Sequence, residues 1–149
     1  MSKRVLISSL VAVAAVGGIT AGGLAIASAA TELTVEKGSA HYAAPAGGKD
    51  GKFTFTADVS DNSGVVGLKV LAWPASSKPD PTEAEMRSVE SAKCERISDE
   101  TSRCTYTPKV TEAEAADLAE GTWHVSVLAT AKDGDKKFVP SAATFDIKR

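Results

Sequence analysis

The residues able to do chemistry in this 149-residue chain are few and far apart. Both cysteines stand in "CERISDETSRC", residues 94–104, and the two histidines, His41 and His124, lie at a distance in sequence from them and from each other. A structural zinc needs four ligands arranged as close pairs, which this set does not supply. A redox pair uses two intervening residues, a spacing that lowers the pKa of one thiol. The stretch divides instead into two strand-like runs, "SAKCERI" and "SRCTYTPKV", around the polar turn "SDET". Folding it about Asp99 sets Cys94 opposite Cys104, and opposed positions on antiparallel strands lie about 4.5–5.5 Å apart, within disulfide reach. The expected chemistry is a disulfide, Cys94–Cys104, that staples one hairpin.

Nucleophilic catalysis lacks its parts. A serine triad needs a histidine beside a nucleophile and a carboxylate, and the strained Gly-x-Ser-x-Gly elbow is missing from the sequence. His124 alternates outward between Trp123 and Val125, and His41 falls in a loop, so both read as surface residues. Carboxylates are numerous, but no pocket that would raise the pKa of one above another can be inferred. Neither an enzyme nor a cofactor is expected.

The first thirty residues set the compartment. Lys3 and Arg4 precede an uncharged apolar run from Val5 to about Ile26, which ends in Ala27-Ser28-Ala29-Ala30. This is the layout of a secretory signal peptide with a small-residue cleavage site. Gly17, Gly18, Gly22 and Gly23 weaken the run as a spanning helix, and no basic stop-transfer cluster follows it. The expected organisation is a signal peptide over 1–30 and one domain over 31–149, secreted and oxidising in its surroundings, with a membrane partner only if the signal segment is retained. Removing 1–30 leaves fifteen basic residues against 19 acidic ones. That balance, with no basic block, argues against nucleic acid and anionic membrane surfaces as partners.

The elements that must position these residues read as short strands. "ELTVEK" (32–37) is a first strand, and "YAAPAGGKDG" (42–51) a Gly/Pro-rich loop. "KFTFTADVS" (52–60) places Phe53, Phe55, Ala57 and Val59 on one face. "VVGLKVLAW" (65–73) places Val66, Leu68, Val70 and Ala72 inward and Lys69, Leu71 and Trp73 outward. "TWHVSVLATAK" (122–132) turns Trp123, Val125, Val127, Ala129 and Ala131 inward, and "KKFVPSAATFDIK" (136–148) does so with Ala143, Phe145 and Ile147. Thr82 with Glu85, and Thr111 with Glu114, have capping-box spacing, which predicts one or two helical turns in the connections. With the stapled hairpin at about 91–110, the count is about seven strands, the signature of an all-β antiparallel sandwich.

"GTWHVSVLATAKDG" followed by "ATFDI" resembles the last hairpin of bacterial immunoglobulin-like domains. Together with "LKVLAWPA" (68–75), the cysteine pair with "CTYTPKV" and the Ala-rich leader, it makes the chain similar to a family of small secreted actinobacterial proteins of unknown function. The resemblance implies an immunoglobulin-like β-sandwich and an extracellular location, and it carries over no catalytic residues. The cysteines here would staple one hairpin, whereas antibody domains join two strands across the core.

Two candidate sites follow. In an immunoglobulin-like sandwich the loops at 61–64, 98–101 and 133–135 share one end. Asp58, Asp61, Asp99, Asp133 and Asp135 are oxygen donors of the kind calcium takes, but Asp, Asn and Gly also occur there simply because they make turns, and this second reading is preferred. The other candidate is an outward apolar patch of Leu71, Trp73, His124 and Leu128, a possible binding surface. Against it stands the connector 74–88, which needs something apolar to sit on and has Met86 and Val89 to cover that face with. The function expected is a non-catalytic module binding a secreted protein or cell-wall component. The alternative is a protease inhibitor presenting a rigid loop, either "PASSKPDPTEAEM" or the tip "ISDET"; stoichiometric inhibition would identify it and degradation of the chain would end it.

Overall fold

The alternating apolar residues sort the chain into two layers. In the computed structural model, which describes residues 32–77 and 81–148, the elements in order are β1 (Thr34–Ala43), β2 (Gly51–Ser60), β3 (Val65–Pro74), α1 (Glu83–Met86), β4 (Lys93–Arg96), β5 (Thr101–Tyr106), β6 (Lys109–Val110), α2 (Glu112–Asp117), β7 (Gly121–Ala131) and β8 (Lys136–Ile147). The leader at 1–30 lies outside the described residues. One sheet runs β1-β2-β5-β4, with β6 also pairing β2, and the other runs β3-β7-β8; every pairing is antiparallel. This is the strand order of the two sheets in constant-type immunoglobulin domains.

The core lies between the sheets. Phe55, Val59, Val125, Val127 and Ala129 are fully buried, joined by Phe53, Ala57, Leu68 and Val70. These are the positions that the period-2 alternation turns inward, because successive side chains of a strand face opposite sides. Cys94 and Cys104 are register partners on β4 and β5 and form the disulfide, with Cα atoms 3.9 Å apart. Cys104 is fully buried and belongs to the core cluster.

Three irregularities depart from simple alternation. The first strand does not end at Lys37: it continues to Ala43 through a bulge between Glu36 and Ser39, where Lys37 takes φ 54°. Gly38 sits so close to β8 that a Cβ there would collide with the Ala142 carbonyl oxygen, so the bulge lets β1 close the sandwich edge. A second bulge between Val65 and Gly67 puts Val65 against the core and leaves Val66 exposed, against the inward placement expected for Val66. In β8 the register shifts opposite Ser126, where Pro140 stands with no N–H to give to the ladder.

Both helical turns carry the capping boxes that the sequence predicts. Thr82 Oγ1 accepts from Glu85 N while the Glu85 carboxylate accepts from Thr82 N, and Thr111 and Glu114 repeat the pattern. α1 lies against β3 and β7 on the outer side of the second sheet and buries Met86 completely. After α1 the connector follows the β3 edge: Val70 N donates to Glu90 O and Ala92 N to Leu68 O. An exposed sheet edge invites pairing with other chains, and this contact covers it.

Candidate functional site

Two places in the fold concentrate side chains with chemistry to offer, at opposite ends of the strands. At the end marked by Leu118 and the start of β7, the sheets part around a cavity of about 360 Å³. Tyr42, Phe53, Tyr106, Trp123 and Phe145 line it, contributed by five strands from both layers. Their rings form a chain: Tyr106 stands edge-on to Phe53 at 6.2 Å, Phe53 is tilted on Phe145 at 4.8 Å, and Phe145 on Trp123 at 5.9 Å. Trp123 is held from behind, its Nε1 donating to Ala119 O at 2.8 Å.

Tyr42, Ser88, Glu90 and Tyr106 bring polar side-chain atoms to the lining, and the last two are coupled. The Tyr106 hydroxyl donates to the Glu90 carboxylate. Burial, and then the hydrogen bond and the charge of Glu90, push the Tyr106 phenol above its usual range, so it stays protonated. Glu90 keeps acceptor capacity beyond this one bond, since an ionised carboxylate has about four lone-pair sites. The site is an apolar chamber with an anionic acceptor at its edge. Sequence reasoning missed it because its walls come from strands far apart in the chain; the one available signal was that five of only eight aromatic residues sit near corresponding ends of their strands.

The outward patch proposed from alternation is largely covered. Leu128 does face away from the core, but it is only 3 % exposed, which removes it as a surface contact. Alternation assigns a residue to a face without saying what covers that face, and here α1 packs on β3 and β7. Trp73 and His124 are register partners with rings stacked at 4.7 Å. Trp73 Nε1 donates to Ser126 Oγ at 2.8 Å, Ser126 donates to Pro140 O, and His124 Nδ1 lies 3.1 Å from Ser141 Oγ. Leu71 is half-buried and borders the cavity. The two large hydrophobic residues exposed among those described are elsewhere, Val66 and, at the tip of the stapled hairpin, Ile97.

The acidic loops meet at the far end, and the structure sorts them. Asp61, Asp133 and Asp135 each bring a carboxylate oxygen within 4.8 Å of the others. Asp99 does not join them: it pairs with Arg96 in its own hairpin. Asp58 is likewise taken up elsewhere, buried on β2 where Arg103 reaches its carboxylate at 3.0 Å and Lys37 at 3.7 Å. The hydrogen bond from Arg103 outweighs burial and, with the charges of Arg103 and Lys37, holds the Asp58 carboxyl below the usual carboxylate range.

That depression has a sign. A carboxylate held low in the folded state contributes stability that is fully present above its unfolded value of about 3.9 and is lost as pH falls through the folded value. Asp58→Asn is therefore expected to flatten the loss of stability below about pH 4, read as urea midpoints at pH 4.5 and 2.5. An acid-side slope equal to that of the wild type would show that Asp58 carries none of it.

A two-layer antiparallel sandwich with a disulfide-stapled edge hairpin, an apolar chamber at one end and converging carboxylates at the other is thus the class of protein in hand. The chain belongs to a family of unknown function, DUF5707, whose model matches residues 35–129, from β1 to near the end of β7. No curated protein and no solved structure matches the chain. Among the described residues no helix is long and apolar enough to cross a membrane.

Proposed function

We propose that this chain is a secreted, non-catalytic binding module that takes an apolar group into the cavity between its sheets. The observation that carries the reading is the chamber itself: about 360 Å³, lined by five aromatic residues, with the Glu90 carboxylate at its edge. Binding sites for small ligands are of this kind, mostly apolar with a few placed polar groups that set orientation. The complementary ligand has an apolar body and a hydrogen-bond donor directed at Glu90. That chemistry favours an apolar side chain of another secreted protein, or a small apolar compound, over a wall polysaccharide. Sugars stack on exposed aromatic faces, and the aromatic rings here line an interior. The leader at 1–30 and the Cys94–Cys104 disulfide support secretion, since such bridges persist in oxidising compartments.

N-phenyl-1-naphthylamine, an apolar fluorophore with one N–H donor, tests the reading. Wild type is expected to give a saturable rise in fluorescence. Ala72 lines the cavity, so Ala72→Phe is expected to abolish the rise by filling the space. Glu90→Gln leaves the apolar walls intact and is expected to weaken binding roughly tenfold, the scale of one hydrogen bond to a charged group. No saturable signal from wild type, or an equal signal from a folded Ala72→Phe protein, would overturn the proposal.

A further inference from the structure

Asp61 is fully buried, and its Oδ2 is the one buried side-chain polar atom among the described residues that has no hydrogen-bond partner. Its other oxygen is accounted for: Oδ1 accepts from Ser63 N at 2.8 Å and from Ser63 Oγ. A buried carboxylate oxygen left without a donor is expensive, and natural structures seldom keep one unless something absent from the protein chain satisfies it. The Asp61 carboxylate faces two more. Asp133 and Asp135, from the β7–β8 turn, bring one oxygen each to within 4.8 Å of it and of each other.

No ion pair among the described residues satisfies this triad, although the Lys132 side chain runs along Gly64 close by. The frame holding the three is firm. Lys132 N donates to Gly64 O at 2.9 Å, Asp133 N to Ser63 Oγ at 3.1 Å, and Asp61 N to Glu100 O at 2.9 Å, so three loops are tied at this end. Three like charges held together by a rigid frame, one of them buried and unpaired, call for a cation.

We infer that Asp61, Asp133 and Asp135 form a calcium site. Two oxygens bound to one calcium, each 2.3–2.6 Å from the ion, lie at most about 5 Å apart, which accommodates the spacing seen here. Calcium takes six to eight oxygens, so backbone carbonyls and water complete the shell. The bound ion joins the turn that leaves β2 in one sheet to the β7–β8 turn of the other. With three carboxylates, two of them exposed, the affinity expected is that of extracellular calcium modules, a dissociation constant of about 0.1–1 mM. The site lies at the opposite end of the sandwich from the apolar chamber and does not depend on it.

Thermal unfolding of the oxidised protein in EGTA, in 10 mM calcium, and in 10 mM magnesium at matched ionic strength is the test. Calcium is expected to raise Tm by roughly 5–10 °C, and magnesium by much less. Asp135 is exposed and its side chain accepts no hydrogen bond, so Asp135→Asn is expected to fold as wild type does and to lose the calcium shift. Asp61→Asn, which keeps the Ser63 bonds, is expected to lose it also. A wild-type Tm indifferent to calcium, an equal shift with magnesium, or a shift that survives Asp135→Asn would each overturn the assignment.

Discussion

Leu128→Ala is expected to cost about 2–5 kcal/mol of folding stability, the range for a leucine truncated in a packed interior. By alternation Leu128 belongs to the outer face of β7, where a substitution would change stability by about 0.5 kcal/mol or less. Its 3 % exposure shows instead that this position on the outer face is covered, and α1 is among the elements packed against β7. Met86, fully buried on α1, is expected to show a loss of the same order on truncation. Both are buried yet stand outside the main core cluster between the sheets. Urea unfolding reads the effect as a lower midpoint at unchanged slope. A Leu128→Ala protein within about 0.5 kcal/mol of wild type would mean that the outer face of β7 is not tightly packed at this position.

Loss of the Cys94–Cys104 bridge is expected to be the other large effect. Closing an eleven-residue loop in the unfolded chain is worth about 2.5–3 kcal/mol in the chain-entropy treatment. Cys104 is fully buried, so replacing both cysteines by alanine adds a packing loss on top of the lost cross-link. Reduction without substitution isolates the cross-link itself. The oxidised protein is expected to weigh two hydrogens less than the reduced one and to melt at least about 10 °C higher. Two titratable thiols in protein recovered from secretion, or the same Tm with and without reductant, would contradict the staple.

How far the sequence carries depends on what sets each feature. The inward faces of β2, β7 and β8 were legible because a half-buried strand must alternate, and Phe53, Phe55, Val125 and Val127 do so without interruption. The hairpin was legible from the cysteines, since their spacing about Asp99 fixes the register. Both capping boxes were legible because they are local. Bulges were not: Lys37-Gly38 looks like the end of a strand, and its role appears only when Ala142 of β8 comes against it. Val66 was misplaced for the same reason, one extra residue before Gly67.

The sites divide along the same line. The loop-end carboxylates were visible as a set, but which of them meet was decided by partners from other strands. Arg103 and Lys37 take Asp58, Arg96 takes Asp99, and Asp61, Asp133 and Asp135 remain together. Asp133 and Asp135 lie beyond the span 35–129 that matches the family, so the cluster is put together by the fold of this chain rather than by the matched segment alone. The aromatic chamber had no local signal, because its rings stand on five strands and face one another only after the two sheets pack.

The proposed binding role is tested most directly by locating a bound probe. With N-phenyl-1-naphthylamine at saturation, intermolecular nuclear Overhauser effects are expected from the naphthyl protons to the rings of Phe53, Trp123 and Phe145, and from no residue on the outer faces. Contacts confined to exposed positions such as Val66 or Ile97, or no contact with any of the three rings, would contradict it.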